Sequence, residues 1–435
     1  MDKQLNCPRI DGALRAPSSK SEAHRALIVA ALSYLYCGAS RQIRVRCTDL
    51  NQDIEATIRC LRALGSQIEE DGEYLLVTPI TVLPESAHLY CGESGSTLRF
   101  LLPVCCALGA TEITPPSFTV YLHMKGRLPE RPLSPLYEEL VAHGAILSPI
   151  GSNPLAVKGG LSSGDYTLDG GVSSQFISGL LFALPLLGKD STIRVTGKVE
   201  SEPYIFMTQK ILLSPVREID CQCPGFYRIT GRSHRTAHCN IEDFLVGGDW
   251  SGAAFFLAAG LLNSQGSVTV TGLDVESSQG DKAIIDVLRR MGGEIVRNNN
   301  GSLTALPSHL HGVEIDASQI PDLVPILAVA ASVAEEETVI SGASRLRLKE
   351  SDRLKTVSNM ISALGGKITE TSDGLIIAGV PRLKGGIVDS AGDHRIAMSG
   401  AVASLVCDGA VTVVGAEAVA KSYPKFWEEF EAITV

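Results

Sequence analysis

The sequence predicts an α/β protein of two similar domains, each assembled from three repeated α/β units. Three observations carry this. An amphipathic helix recurs along the chain with a glycine at its end, a second helix type recurs that is apolar nearly all round, and short Val/Ile/Thr-rich segments join them. At 435 residues the chain is also too long for one ordinary core, which favours two domains or a larger repeat-built assembly.

The amphipathic type reads DIEATIRCLRALGSQI, LSPLYEELVAHGAIL, DKAIIDVLRRMGGEIV and LKTVSNMISALGGKI, with weaker copies in YIFMTQKILLSPVREI and the terminal KFWEEFEAI. The closing glycines of the four clear copies, Gly65, Gly144, Gly292 and Gly365, stand where a helix takes a left-handed C-cap. The apolar type reads KSEAHRALIVAALSYL, GSTLRFLLPVCCALG, SSQFISGLLFALPLLG, SGAAFFLAAGLL, PDLVPILAVAASVA and DHRIAMSGAVASLV. Helices without a polar face belong inside a domain.

Six helices of each type imply six α/β units, three per domain. The natural division is near Val246-Gly247-Gly248, just before the fourth apolar helix. This gives a first domain over residues 19–246 and a second over 1–18 plus 247–435, with the hinge near 18–19 and 246–247. A strand around residues 4–16 precedes the first repeat and is expected to pair with the far domain, so that the chain crosses twice.

A net charge of −10 disfavours nucleic-acid and membrane-surface partners, so an anionic ligand must be met by local positive charge. No run reaches the length of a membrane span, and MDKQLNCPRIDG lacks the apolar centre of a signal peptide, which points to a cytoplasmic protein. Eleven cysteines sit mostly in apolar stretches such as Cys60 and Cys105-Cys106, where reduced thiols are at home, so no disulfide framework is expected. Cys221, Cys223, His234, His238 and Cys239 cluster at a spacing that fits no familiar zinc pattern, and no metal or cofactor is expected.

The chemistry is written at the starts of the apolar helices. Lys20, Ser21 and Arg25 open the first, Gly95, Ser96 and Arg99 the second, and Ser173, Ser174 and Gln175 the third. Asp322 opens the fifth, and Asp393, His394 and Arg395 the sixth. Free N–H groups and the positive end of the helix dipole suit phosphate or carboxylate. A single serine there is an ordinary cap. An arginine one turn into an apolar helix needs a partner, since an unpaired buried charge is costly, and its recurrence at matching repeat positions favours a ligand. RLRLKESDRLK adds Lys349, Glu350 and Arg353 at the mouth of an amphipathic helix, where Glu350 and Arg353 can share a face as an ordinary surface pair or as part of a site. KGRLPERP places Arg127 and Arg131 in a Pro-bounded segment, and Lys421 follows an apolar run near the C-terminus.

Taken in order and spacing, APSSKSEAHR, ESGSTLRFL, RLPERPL, VSSQF, ESEPY, IPD, LKESDR, GDHRIAM and AKSYP resemble the motifs of the 5-enolpyruvylshikimate-3-phosphate synthases, the 3-phosphoshikimate 1-carboxyvinyltransferases, over nearly the whole chain. The resemblance implies two domains of three βαβαββ-type units, each an inside-out α/β barrel, with a cleft between them. It implies a monomer that moves the enolpyruvyl group of phosphoenolpyruvate onto shikimate 3-phosphate. By position, Lys20, Ser21, Arg25, Ser173, Ser174, Gln175, Ser201, Tyr204, Asp322, Arg345 and Lys349 would hold shikimate 3-phosphate. Lys20, Gly95, Arg131, Gln175, Arg353, Arg395 and Lys421 would surround phosphoenolpyruvate. Asp322, Glu350 and Lys20 would be the proton-transfer groups, with His394 close by. The chain departs from the family pattern at Glu93, usually Asn, at Ser96, commonly Thr, and at Arg345, often Asn or Glu; it also lacks the usual Gly before Ser18.

That residue set suits the reaction. Attack of the 5-hydroxyl on C2 needs a base, and C3 needs an acid as it becomes a methyl group; two carboxylates can do both. Glu350 must hold a proton to act as the acid, as a desolvated carboxyl does. Gly95 leaves room beside phosphoenolpyruvate, which implies sensitivity to glyphosate. Two other functions compete. Enolpyruvyl transfer to UDP-N-acetylglucosamine would call for Lys-Asn in place of Lys20-Ser21 and a reactive Cys in the loop that here reads MKGRLPERP. A non-catalytic anion-binding protein would have no use for Asp322 and Glu350 together.

Overall fold

The structure is a computed structural model and describes residues 1–6, 9–213, 216, 219–223, 225–232 and 241–435. The chain divides into two compact units, Lys20–Val246 and Met1–Ser19 with Gly247–Val435. Ser19 falls in the second of these, not the first, because its N–H bonds the Gly247 carbonyl at 2.8 Å.

The repeat is plainest at residues 86–158. Strand Ser86–Gly92 leads into helix Gly95–Leu108, and the chain returns as Thr119–Met124, parallel to the first strand. Helix Leu136–Ala142 follows, and Ile146–Leu147 with Leu155–Lys158 closes the sheet as an antiparallel hairpin. This βαβαββ order recurs from Asp165–Asp169 to Phe226–Ile229 and again from Glu314–Asp316 to Leu375–Ala378. A parallel pair requires a crossover, and the apolar helix supplies it while covering the inner face of the sheet.

Other repeats borrow strands. Ile43–Arg46 takes Phe244–Leu245 as its parallel neighbour, from the other end of the same unit. In the second unit Gly12–Arg15 pairs in parallel with Val268–Thr271, and Asp2–Leu5 pairs antiparallel with Val411–Val414.

The four C-capping glycines behave as their positions demand. Gly65, Gly144, Gly292 and Gly365 all have φ between 83° and 105°. Each is followed by a Schellman bond back into the helix, such as Ser66 N–H to Leu61 O at 3.1 Å and Gly366 N–H to Ile361 O at 2.9 Å. The helix end is thus closed and the chain is aimed straight into the next strand.

The apolar helices are buried almost completely, and in three of them the one exception lies near the start. Every residue of Gly95–Leu108 is buried except Ser96, every residue of Ser174–Ala183 except Gln175, and every residue of Trp250–Leu262 except Ser251. Each unit has its own core, built mainly from Leu, Ile, Val and Ala, with Phe100, Phe176 and Phe182 in the first and Phe255, Phe256 and Phe426 in the second. Among the described residues no helix is long and apolar enough to cross a membrane.

Helix-to-sheet closeness depends on backbone contact in places. A Cβ on Gly109, which caps helix Gly95–Leu108, would lie 2.0 Å from the Gly159 Cα just after strand Leu155–Lys158. Gly109→Ala is therefore expected to destabilise the protein by about 1–3 kcal/mol, read as an early transition in denaturant unfolding; an unchanged midpoint would contradict this packing.

Candidate active site

In the unit Lys20–Val246, Arg25 lies one turn into its helix and is 2% exposed. Its Nε donates to Thr208 Oγ1 at 2.7 Å, Nη1 to the Ser21 carbonyl at 2.7 Å, and Nη2 to the Tyr204 carbonyl at 2.8 Å. The guanidinium also stacks over Phe100, 5.0 Å from the ring centroid. Arg25 thus ties the start of the first apolar helix to the first turn of helix Glu202–Leu212. That turn begins at Ser201, which is buried and held in the left-handed region at φ 53°. A serine in that conformation costs about 1–3 kcal/mol and is kept where the surroundings fix it.

Lys20 pairs with Asp53 at 3.0 Å. Asp53 is in the first turn of helix Gln52–Ala63, whose cap Asn51 accepts from Ile54 N at 3.0 Å. A second group forms at the next two helix starts: Arg99 Nη1 donates to Gln175 Oε1 at 2.9 Å, and Gln175 Nε2 to Ser96 Oγ at 2.9 Å. The two polar exceptions on otherwise buried helices therefore meet. Gly95 packs against Arg131, since a Cβ at Gly95 would lie 2.9 Å from Arg131 Nη1. Glu93 leans on the same loop, its Oε1 2.5 Å from where a Cβ would stand on Gly126. Lys20, Arg25, Arg99 and Arg131 leave this end of the unit rich in positive charge.

The other unit gathers its charges around Arg353, which is 1% exposed. Its guanidinium meets Asp322 at 2.8 Å, Glu350 at 2.7 Å and Asp393 at 2.9 Å. Asp393 is wholly buried and also caps helix His394–Ala403, accepting from Arg395 N at 3.0 Å. Three more cations close the ring. Arg395 reaches Asp322 Oδ2 at 3.3 Å and its carbonyl at 3.0 Å, Lys349 reaches Asp322 at 3.5 Å, and Lys421 stands 3.9 Å from Glu350. Burial alone would raise the Asp322 carboxyl, but Arg395, Lys349 and Arg353 outweigh it and hold it well below the usual range. Lys349 is pulled down to about 8, chiefly by burial and then by Arg353 and Arg345, against Asp322 and Glu350.

Four cations interleaved with three carboxylates, Asp393 and Arg395 at the start of a buried helix, Arg353 at the start of its own and the rest from neighbouring loops and turns, can hold small polyanions and move protons. The sequence profile of EPSP synthase (3-phosphoshikimate 1-carboxyvinyltransferase) matches residues 6–430. The chain belongs to the EPSP synthase family. A 3-phosphoshikimate 1-carboxyvinyltransferase from Clostridium kluyveri is 42% identical over 432 residues, covering 99% of this chain and 96% of that protein. One from Clostridium acetobutylicum is 40% identical over 446 residues, covering 99% and 97%. The crystal structure of EPSP synthase from Acinetobacter baumannii shares the fold, with a TM-score of 0.79 at 24% identity over 100% of this chain and 98% of that one.

The residues singled out in the sequence are divided between the two units. Lys20, Ser21, Arg25, Gly95, Arg131, Ser173, Ser174, Gln175, Ser201 and Tyr204 belong to the unit Lys20–Val246, and Asp322, Arg345, Lys349, Glu350, Arg353, His394, Arg395 and Lys421 to the other. Arg345 donates to the Ser318 carbonyl at 3.1 Å. His394 is buried in the first turn of its helix. Glu350 does not share a helix with Arg353: the helix Arg353–Ala363 starts one residue after its cap Asp352, and Glu350 pairs from the preceding loop. A surface pair is ruled out by the burial of Arg353. Of the cysteine-histidine cluster, Cys221 and Cys223 are exposed, while His234, His238 and Cys239 lie outside the described residues.

Sequence reasoning missed Asp53 and Asp281. Asp281 is wholly buried, one oxygen accepts from Ser251 Oγ, and the other has no hydrogen-bond partner. Burial, then the Asp322 charge, raises its carboxyl above the ordinary carboxylate value to about 6, against the pull of Arg395 and Ser251. The folded state therefore keeps this proton to higher pH than the unfolded chain does, so the group favours folding below the unfolded value and that contribution is lost as pH rises to about 6. Asp281→Asn is expected to flatten the fall in melting temperature between pH 4 and 6, followed by thermal denaturation across that window; a variant that parallels the parent would refute the assignment.

Proposed function

We propose that the protein transfers the enolpyruvyl group of phosphoenolpyruvate to the 5-hydroxyl of shikimate 3-phosphate with release of phosphate, and that the residues above carry out the addition and elimination. The observation that carries this is the ring of Asp322, Glu350 and Asp393 around Arg353, edged by Lys349, Arg395 and Lys421. It offers two carboxylates for proton transfer among cations suited to phosphate and carboxylate.

Shikimate 3-phosphate is assigned to Ser21, Arg25, Ser173, Ser174, Gln175, Ser201 and Tyr204, with Asp322, Arg345 and Lys349. Arg25 already spends most of its N–H groups on Ser21, Tyr204 and Thr208, so much of its work is to set those partners. Phosphoenolpyruvate is assigned to Lys20, Gly95, Arg131, Gln175, Arg353, Arg395 and Lys421.

In the addition, Asp322 takes the 5-hydroxyl proton as oxygen bonds to C2, and Glu350 delivers a proton to C3. In the elimination, Glu350 takes a proton back from the new methyl group as the C2–O bond to phosphate breaks. Lys20 neutralises the departing oxygen and His394 supports the region from the start of its helix. Asp322 begins as a poor base because its cations hold it ionised. Substrate anions compete for Arg395, Arg353 and Lys421, which frees Asp322 to accept a proton and Glu350 to carry one. The catalyst is thereby switched on by the ligands it binds.

Phosphate release from phosphoenolpyruvate is expected only when shikimate 3-phosphate is present, and release independent of the acceptor would sink the assignment. Glu350→Gln and Asp322→Asn are each expected to lower kcat by about 10²–10⁴-fold. Gly95→Ala places a methyl group against the tip of Arg131. It is expected to raise KM for phosphoenolpyruvate about tenfold, leaving that for shikimate 3-phosphate little changed; steady-state kinetics with each substrate varied distinguishes this from a general loss of fold.

A further inference from the structure

The sheet of residues 86–158 turns one face of its parallel pair outward. Along Ser86–Gly92, Ala87, Leu89 and Cys91 are buried while His88 and Tyr90 are exposed. In register, His88 faces Tyr121 and Tyr90 faces His123. Each cross-strand pair stacks, with ring centroids 4.8 and 4.5 Å apart and planes within 16° and 15° of parallel. The diagonal then brings His88 Nδ1 within 2.9 Å of His123 Nε2. Two tyrosine rings thus stack on two imidazoles and leave one nitrogen of each within hydrogen-bond distance of the other.

Neutral imidazoles at that separation share a hydrogen, and a metal ion can take its place. Two nitrogens each about 2.0–2.1 Å from a metal and at a right angle to one another lie about 2.9 Å apart, whereas tetrahedral ligands stand about 3.3 Å apart. The spacing fits an imidazole–imidazole hydrogen bond and equally two adjacent positions on a square-planar or octahedral ion, the preference of copper and nickel over zinc.

We propose that His88 and His123 form a two-nitrogen site for a divalent ion of the nickel or copper class, its remaining positions filled by water. Among the described residues no group of three or more His, Cys, Asp or Glu side chains could hold a metal, so the two imidazoles are the whole protein contribution. The strands joined by this pair run directly into Gly95 and into the loop that carries Arg131. A bound ion therefore braces the sheet behind that contact.

The test is calorimetric titration of Ni2+ into the tag-free full chain. One equivalent should bind, His88→Ala and His123→Ala should each weaken binding about tenfold or more, and the double variant should lose that equivalent. Unchanged melting temperatures in the variants would show that the fold is intact. Equal affinity in parent and single variants, or one equivalent retained in the double variant, overturns the proposal, as does binding that occurs only with dimerisation.

Discussion

A single guanidinium organises the second unit. Arg353 is buried and faces three carboxylates, which would repel one another without it. Removing one partner from such a buried set costs about 3–5 kcal/mol, because the charges left behind have no water to turn to. Asp393 shows how far the arrangement reaches: the same carboxylate that holds Arg353 also caps the helix that presents Arg395. Position, charge and helix register are therefore fixed together.

The first unit solves a similar problem with neutral partners. Arg25 is held by two backbone carbonyls and a threonine, and Arg99 by glutamine and the Pro132 carbonyl at 3.1 Å. Carbonyl and amide dipoles satisfy a guanidinium without cancelling its charge, so this end of the unit stays electropositive. The contrast fits the proposed roles, in which one unit holds anions and the other both holds anions and moves protons. In both, a helix with no polar face elsewhere leaves its first turn as the place where polar groups can gather.

Much of this was legible because it is periodic or local. The four helix-closing glycines announced their Schellman ends, and the repeat count followed from the alternation of helix types. Arg25 and Arg99 stood out as charges one turn into otherwise apolar helices. Partners far along the chain did not. Asp53 pairs with Lys20 across 33 residues and Asp281 meets Ser251 across 30, and no spacing rule links positions in successive elements whose relative rotation is set by packing. Asp281 looked like the acidic start of an ordinary amphipathic helix. The pairing of the N-terminal strands with the second unit was expected and is seen, but the borrowing by Ile43–Arg46 is silent, since Phe244–Leu245 is too short to show alternation and lies nearly two hundred residues after its parallel partner.

The borrowed strands also bear on how the chain is made. Asp2–Leu5 and Gly12–Arg15 are translated hundreds of residues before their partners Val411–Val414 and Val268–Thr271, a gap on the order of tens of seconds at typical elongation rates. Through that interval these two strands are without their partners while the segment Lys20–Val246 can already complete its own sheets. The charged Asp2, Lys3 and Arg15 side chains on those waiting strands act as gatekeepers against pairing with a neighbouring polypeptide.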